Sequence, residues 1–474
     1  MKRFNKEYTP LLIGAALSLM IYGCSGNCSN KISEIRIGSH GGNALKIEIN
    51  VQTTKLLNVV IKYWPKGNEK CLFSTPVSPA GKNHNIILTN LKPLQQYGFR
   101  IVVNNGKCVS ESKDYSFTTL DYPLWITDVF KIICPDSTVV PENFRRGYTM
   151  VFRRETPGIL FFINYLGEIV WYHQVNGTGF KVAHFTKNKT IISLLGTDDY
   201  QTSYGNEILE LSLAGDTIFN LKKGQKDFKQ TIHHEVLLND QDQVVTICSE
   251  ERIMDLRARG GSESDTVKSD GILVMDKTGK QIWKWTVFDN INPLDDNTIV
   301  KNKSDWMHAN CLNYDTDGNY LLSFYNNGQI WKIDSKSGKV IWKFGKGGDF
   351  KMPANGIFDN SHAVHINNHN QLMLFDNGTS KLLSRILAFN LDENNRTATL
   401  ELNLPLPREM YSERMGSAYN VTDSSVLISS SKKNTVVLTT PEGRYLWLLR
   451  TGFMPYRAEF IPPELLMPYI QACN

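Results

Sequence analysis

Long basic blocks, CxxC pairs and apolar stretches of comfortable membrane-spanning length are all missing from these 474 residues. Each absence closes a class of function. With 52 basic against 47 acidic side chains the net charge is only +5, so there is no electrostatic footprint for nucleic acid. Eight cysteines without a CxxC pair exclude a cysteine zinc site. The one tight glycine cluster, Gly345-Lys-Gly-Gly348, lacks the strand-to-helix setting of a phosphate loop, which argues against a nucleotide cofactor. What remains is ordinary globular material, 41% hydrophobic and 11% aromatic, in a chain long enough for two domains.

The first residues carry an address. Met1-Lys-Arg-Phe-Asn-Lys6 is basic, Leu11 to Ile21 is apolar, and Gly23-Cys24 follows. This is the pattern of an export signal, its apolar run too short for a membrane span. Gly23 before Cys24, with Ile21 upstream, resembles a bacterial lipoprotein cleavage site. The expectation is a signal peptide over 1–23, lipidation at Cys24, a tether over 24–30, and a protein anchored to a membrane by lipid, facing the periplasm or the cell surface. Export permits disulfides, and Cys71 with Cys108 is the first pair to test.

From 31 to 120 short alternating segments broken by Gly, Pro and Asn predict strands. Leu91 to Ile101, with Tyr97 at its centre, resembles the tyrosine corner of a fibronectin type III-like β-sandwich. His40 and His84 read there as loop or surface residues. After a linker over 121–143, the region 144–474 repeats a Gly-started strand with a large terminal residue. The copies are Gly167-Glu-Ile-Val-Trp171, Gly215 to Phe219, Gly279 to Trp283, Gly338 to Trp342 and Gly443 to Trp447, with a degenerate copy at Thr397 to Leu404. Six such units predict an all-β fold, a six-bladed β-propeller of four-stranded blades. The ring is expected to close by Tyr456 to Pro462 pairing near Tyr148 to Phe152.

A second repeat carries the chemistry. His234-Glu-Val-Leu-Leu-Asn239, His308-Ala-Asn-Cys-Leu-Asn313 and His362-Ala-Val-His-Ile-Asn367 set one histidine at the start of three successive units. On the innermost strands, such positions converge on the propeller axis. His233, one step out of register, is expected to point the other way. His365 and His369 read as structural, and His184 and His173 do not match the register. Glu235 is expected to face away, which leaves a three-histidine metal site without a fourth ligand.

Asp305-Trp-Met-His308-Ala-Asn310, His362-Ala with Phe375-Asp-Asn-Gly378, His233-His234, Arg414-Met-Gly416 and the closing Tyr456-Arg-Ala-Glu-Phe-Ile-Pro462 together resemble the bacterial arylsulfate sulfotransferases. The resemblance spans about Phe144 to Pro463. It implies a six-bladed propeller that moves sulfuryl groups from a phenolic sulfate donor to a phenol acceptor through a sulfated histidine, without a nucleotide sulfate donor. By that resemblance His362 is the nucleophile, His308 and Asn310 hold the sulfuryl oxygens, and His233 or His234 is the remaining histidine. One departure stands out: the family's arginine on the strand after the DW-x-H segment is replaced by Tyr325. Arg414, Arg385 and Arg252 are the candidate replacements, and Trp306 and Tyr325 are candidate platforms for a phenol. Two rivals stand beside this reading: a surface binding module that has lost catalysis, and a three-histidine metal-dependent hydrolase or lyase.

Overall fold

The computed structural model describes residues 19–20, 31–104, 106, 109–133, 137–200 and 203–471. Cys24, the tether and all of the leader except 19–20 lie outside the described residues, as does Cys108. Cys71 is disulfide-bonded. No helix among the described residues is long and apolar enough to cross a membrane.

Two compact units divide the chain, Met1–Leu124 together with Met467–Asn474, and Trp125–Leu466. In the first, the long strand Ile47–Pro65 pairs with Ile32–Ser39 and Ser78–Leu88 and, further along, with Gln96–Asn104. The alternating apolar positions turn inward onto a core that includes Ile49, Val59, Ile61 and Phe99. The Tyr97 hydroxyl accepts the Lys92 N–H at 2.8 Å, from five residues upstream. This is the corner that the sequence pattern predicts.

The second unit consists of six antiparallel sheets, the blades of a β-propeller. The inner strands, in blades 1 to 6, are Ala458–Ile461, Gly179–Phe185, Ile232–Leu238, Ala309–Tyr314, His362–Ile366 and Ser417–Thr422. Blade 1 takes its inner strand from the far end of the chain: Tyr148 pairs with Ile461 and Val151 with Ala458. Phe130–Ile133, inside the expected linker, adds a fifth strand to blade 6 on Leu448 to Thr451.

The Gly-started repeat marks the turn into the outer strand of each blade. Gly167, Gly215, Gly279, Gly338 and Gly443 all have positive φ, between +74° and +101°, a conformation that glycine adopts without a Cβ clash. The degenerate copy is the outer strand of blade 5, Thr397–Pro405, and there Arg396 takes the same left-handed conformation at φ +52°. The tryptophans in and beside these strands tie neighbouring blades. Trp171 Nε1 donates to the Leu213 carbonyl, Trp285 to Gly338, and Trp447 to Tyr165, closing blade 6 onto blade 1. Aromatic packing fills the gaps, as where Phe344 of blade 4 meets Phe389 of blade 5 edge-on at 5.1 Å. Each such side chain contributes about 1.5–3 kcal/mol on burial.

Candidate active site

At one end of the axis four imidazoles and a phenol gather. The His234 and His308 ring centroids are 5.0 Å apart, His308 and Tyr325 are 5.5 Å apart, and Tyr325 and His362 are 5.5 Å apart. They do not arrive from one register, as the sequence repeat led us to expect. Three rungs from their hairpins the inner strands present His233 opposite Ile247, Cys311 opposite Ser323 and His362 opposite Phe375. His362 is thus the equivalent of His233, and His308 lies further from the hairpin than either. β-Bulges between His233 and Val236, Ala309 and Cys311, and His362 and His365 shift the strands. His234, His308 and Ala363 have φ between +51° and +60°. The bulges re-aim the side chains, and the rings meet from unequal rungs.

His362 is buried, and its tautomer is fixed. Both amide hydrogens of Asn377 are spent on the carbonyls of Ser412 and Met415, each at 2.7 Å. Asn377 Oδ1 therefore accepts, and the His362 Nδ1–H donates to it at 2.7 Å. The lone pair stays on Nε2, where the Met415 backbone N–H points at it from 3.2 Å. Burial pushes this imidazole down to about 3, against the hydrogen bond to Asn377, so it is neutral at ordinary pH. Gly416 explains how the Met415 loop comes so close, since a Cβ there would sit 2.8 Å from the Phe375 ring.

His308 is the opposite case. Burial pushes it down, but the Asp305 hydrogen bond at 2.6 Å and the Asp305 charge outweigh burial and hold it above the ordinary imidazole value. Its Nδ1–H is committed to Asp305, which directs Nε2 elsewhere. His233, expected to point away, is buried with the others: its Nδ1 lies 2.8 Å from His234 Nδ1 and its ring stacks on Tyr204 at 4.6 Å. Its Nε2 faces Asp270 at 3.4 Å, and burial raises that carboxyl to about 7. Burial likewise drives His233 down to about 3 and His234 well below the ordinary value, with the His308 charge adding to both.

Other expectations are redirected. Asn310 is fully buried and its amide donates to the Ser361 carbonyl at 2.7 Å, so it holds the strand that carries His362. Trp306 packs on Phe288 within the apolar core, with its Nε1–H on Asp296, away from the imidazoles. Tyr325 donates its hydroxyl to the Glu413 carbonyl at 2.9 Å. Of the candidate replacement cations, Arg385 is bound to Asp376 and to the carbonyls of Asn355 and Ile357. Arg252 is exposed and paired with Asp289, and Arg414 is exposed beside Glu413. A further buried guanidinium in this region is Arg154, at the end of the blade 1 strand Tyr148–Arg153. Neither the repeat nor the family motifs point to it. Asp305 and Asn377 both stand inside recognised motifs, three residues before His308 and two after Phe375, and their roles follow only from geometry.

One layer nearer the hairpins a second polar ring crosses the axis. The bulge in blade 3 turns Glu235 inward, contrary to the expectation that it faces away. It meets His184 Nε2 at 2.5 Å and Arg457 at 2.7 Å, while His184 Nδ1 meets Glu459 at 2.6 Å. Cys311 donates to the Val364 carbonyl, and His365 packs on Tyr419. All six inner strands or their first residues contribute. Burial opposes charge here, yet the two carboxylates raise His184 to about 9, and Arg457 and His184 hold Glu235 below the usual carboxylate range. Among the described residues, no three His, Cys, Asp or Glu side chains are grouped so as to hold a metal ion.

Fold and site define a six-bladed propeller with a histidine cluster at the axis. Residues 136–444 match the arylsulfotransferase (ASST) family, and the chain belongs to that family. A search of curated proteins finds no match. Among solved structures, a protein of unknown function from Bacteroides caccae is 12% identical, covering 67% of this chain and 99% of that one, with a TM-score of 0.43. A catalytically inactive virginiamycin B lyase from Staphylococcus aureus with quinupristin is 10% identical, covering 72% and 90%, with a TM-score of 0.33. The sensor domain of the anti-sigma factor RsgI4 from Pseudobacteroides cellulosolvens is 21% identical over 20% of this chain and 99% of that one, with a TM-score of 0.16. These likenesses are too weak to bear on activity.

Proposed function

We propose that this protein is an exported, lipid-anchored aryl sulfotransferase working by two displacements at His362. The observation that carries the reading is the pairing of a buried neutral imidazole, its Nε2 lone pair fixed by Asn377, with a second imidazole whose hold on a proton is raised by Asp305. Two like groups whose surroundings push their proton affinities apart are the signature of nucleophile and acid in one site.

Sulfuryl transfer has a loose transition state, so placement and charge dominate over covalent assistance. In the first half-reaction His362 Nε2 donates its pair to sulfur. The S–O bond to the aryl oxygen breaks with its pair leaving on oxygen, and the His308 Nε2–H supplies the proton. Phenol departs, leaving an N-sulfo imidazole whose Nδ1–H remains on Asn377. A second phenol then loses its proton to neutral His308, its oxygen attacks sulfur, and the N–S pair returns to Nε2. Asp270, His233 and His234 form a buried line of titratable groups behind His308 that orients His234.

The test is mass spectrometry of the peptide containing His362 after mixing with 4-nitrophenyl sulfate and quenching. A sulfated His362 in the native protein, absent from His362→Asn, is expected. Sustained turnover by His362→Asn would remove the assignment. A binding module without catalysis predicts neither label nor release of nitrophenol.

A further inference from the structure

A transferred sulfuryl group carries its negative charge on three oxygens, and the position where a family arginine is expected holds Tyr325, whose hydroxyl is committed to Glu413. The cation therefore has to come from another blade. Arg154 enters from blade 1, fully enclosed, with its guanidinium 4.4 Å over the Tyr456 ring. One Nη donates to the Ser203 hydroxyl at 2.6 Å and the other to the Met415 sulfur at 3.1 Å. Met415 is also the residue whose backbone N–H sits on His362 Nε2. One residue thus touches both the nucleophilic nitrogen and the guanidinium.

A thioether is a weak acceptor, and a guanidinium fork matches an oxyanion far better. Lys181 adds a second buried cation, its Nζ 3.4 Å from the Arg154 carbonyl. Burial lowers both cations, Arg154 to about 10, and the Arg154 charge depresses Lys181 further, with Glu155 opposing the fall in each. The loop Arg414-Met415-Gly416 holds Met415 in a left-handed conformation at φ +63°, a strained backbone of the kind concentrated at ligand clamps.

We infer that Arg154, entering from blade 1, is the cation of the sulfuryl site, and that the Met415 sulfur holds its place until sulfate-ester oxygens displace it. The assignment rests on the sulfotransferase reading for its chemistry, but the anion site is testable without turnover. On this account the family's fixed charge has moved from the strand after His308 to the opposite side of the axis. The Met415 N–H, displaced from Nε2 by the incoming sulfur atom, becomes a second donor to the oxyanion.

The experiment titrates native, Arg154→Gln, Arg154→Lys and Met415→Leu proteins with inorganic sulfate by calorimetry. It then measures 4-nitrophenyl sulfate turnover and His362 labelling in the same preparations. Arg154→Gln, which keeps a polar partner for Ser203, is expected to bind sulfate at least about tenfold more weakly. It should also lose on the order of 100- to 1,000-fold in turnover. Arg154→Lys should fall between it and the native protein. Met415→Leu, which removes only the competing acceptor, should bind sulfate as well as the native protein or more tightly. Native-like sulfate binding by Arg154→Gln, no saturable binding by the native protein, or a loss in Met415→Leu as large as that in Arg154→Gln would each overturn the assignment. Sulfate bound through Arg154 with His362 never labelled would overturn sulfotransfer and leave the anion site standing. Labelling of Arg154→Gln at the native rate would do the reverse.

Discussion

Replacing Asp305 by Asn tests which imidazole carries the proton. Native His308 is pressed down by burial but held above 6.5 by the hydrogen bond and charge of Asp305, with Asp270 behind it. His234 and His362 share the channel without such a partner, and burial takes them well below the ordinary value and to about 3 respectively. These two neighbours show what burial does to an imidazole here when no carboxylate opposes it. Asp305→Asn keeps an acceptor for the His308 Nδ1–H and removes the charge, so His308 should titrate below 6.5. A group titrating at 6.5 keeps only about one tenth of its protons at pH 7.5. At that pH the acid form of His308 in the variant should therefore be about one tenth of the protein or less, and turnover should fall, with the alkaline limb of the kcat/KM profile moving from above 6.5 to below it. Phenyl sulfate, with its poorer leaving group, should lose more than 4-nitrophenyl sulfate. Initial rates from about pH 5 to about pH 9 with both esters decide the matter. An unmoved alkaline limb, or equal losses for the two esters, would refute His308 as the acid. Stability should follow the same proton. The raised His308 contributes fully below its unfolded value of about 6.5 and loses that contribution as pH rises through its folded value. The lowered Asp305 contributes above about 3.9 and loses that contribution as pH falls. The native protein's advantage in Tm over Asp305→Asn should thus be greatest between those limits and shrink on the alkaline side.

Asn377→Asp places a carboxylate on His362 Nδ1 and should raise its affinity for a proton. The acid limb of the rate profile should move to higher pH and narrow the active range from the acid side; an acid limb at its native position would contradict the tautomer assignment. In the second ring, Arg457→Met leaves buried Glu235 with His184 as its charged partner and the Cys311 thiol beside it. Loss of one partner of such a pair costs about 3–5 kcal/mol, read as a lower urea midpoint with an unchanged m-value. His184, raised to about 9 in the folded protein, contributes stability that is complete below about 6.5 and disappears as pH rises through about 9. The difference in urea midpoint between native protein and His184→Gln should therefore narrow over that interval, and a constant difference would mean that His184 is not the charged partner.

The sequence announces the propeller because its cues are local. A glycine in the left-handed turn and a large residue in the outer strand recur five times, and even the sixth copy is explained once Arg396 is seen in the glycine's conformation. The tyrosine corner and the closing strand are legible for the same reason: each is a short pattern with one structural use. The histidine cluster is legible only in part. Repetition of His234, His308 and His362 marks the right side chains but implies one rung, and an alternation argument built on that rung sends His233, Glu235 and His365 outward. The bulges defeat it. Each inserts one or two residues at the point where the strand reaches the axis: one added residue, as in blades 4 and 5, exchanges the two faces of everything beyond it, while the two added in blade 3, His234 and Glu235, leave the ladder and take their directions from the bulge. His233 returns to the site, and Glu235 and His365 become the ring beneath. Nothing in residue type distinguishes a bulged strand from a straight one here, since the signal is the left-handed φ of His234, His308 and Ala363, none of them glycine. Arg154 is hidden for a different reason. It follows a blade 1 strand far in sequence from the clustered histidines, and only closure of the ring by Ala458–Ile461 carries blade 1 round to face blades 5 and 6. A side chain that reaches the axis from a distant part of the chain leaves no periodic trace, so Arg154 is the residue that a repeat-based reading has least power to find.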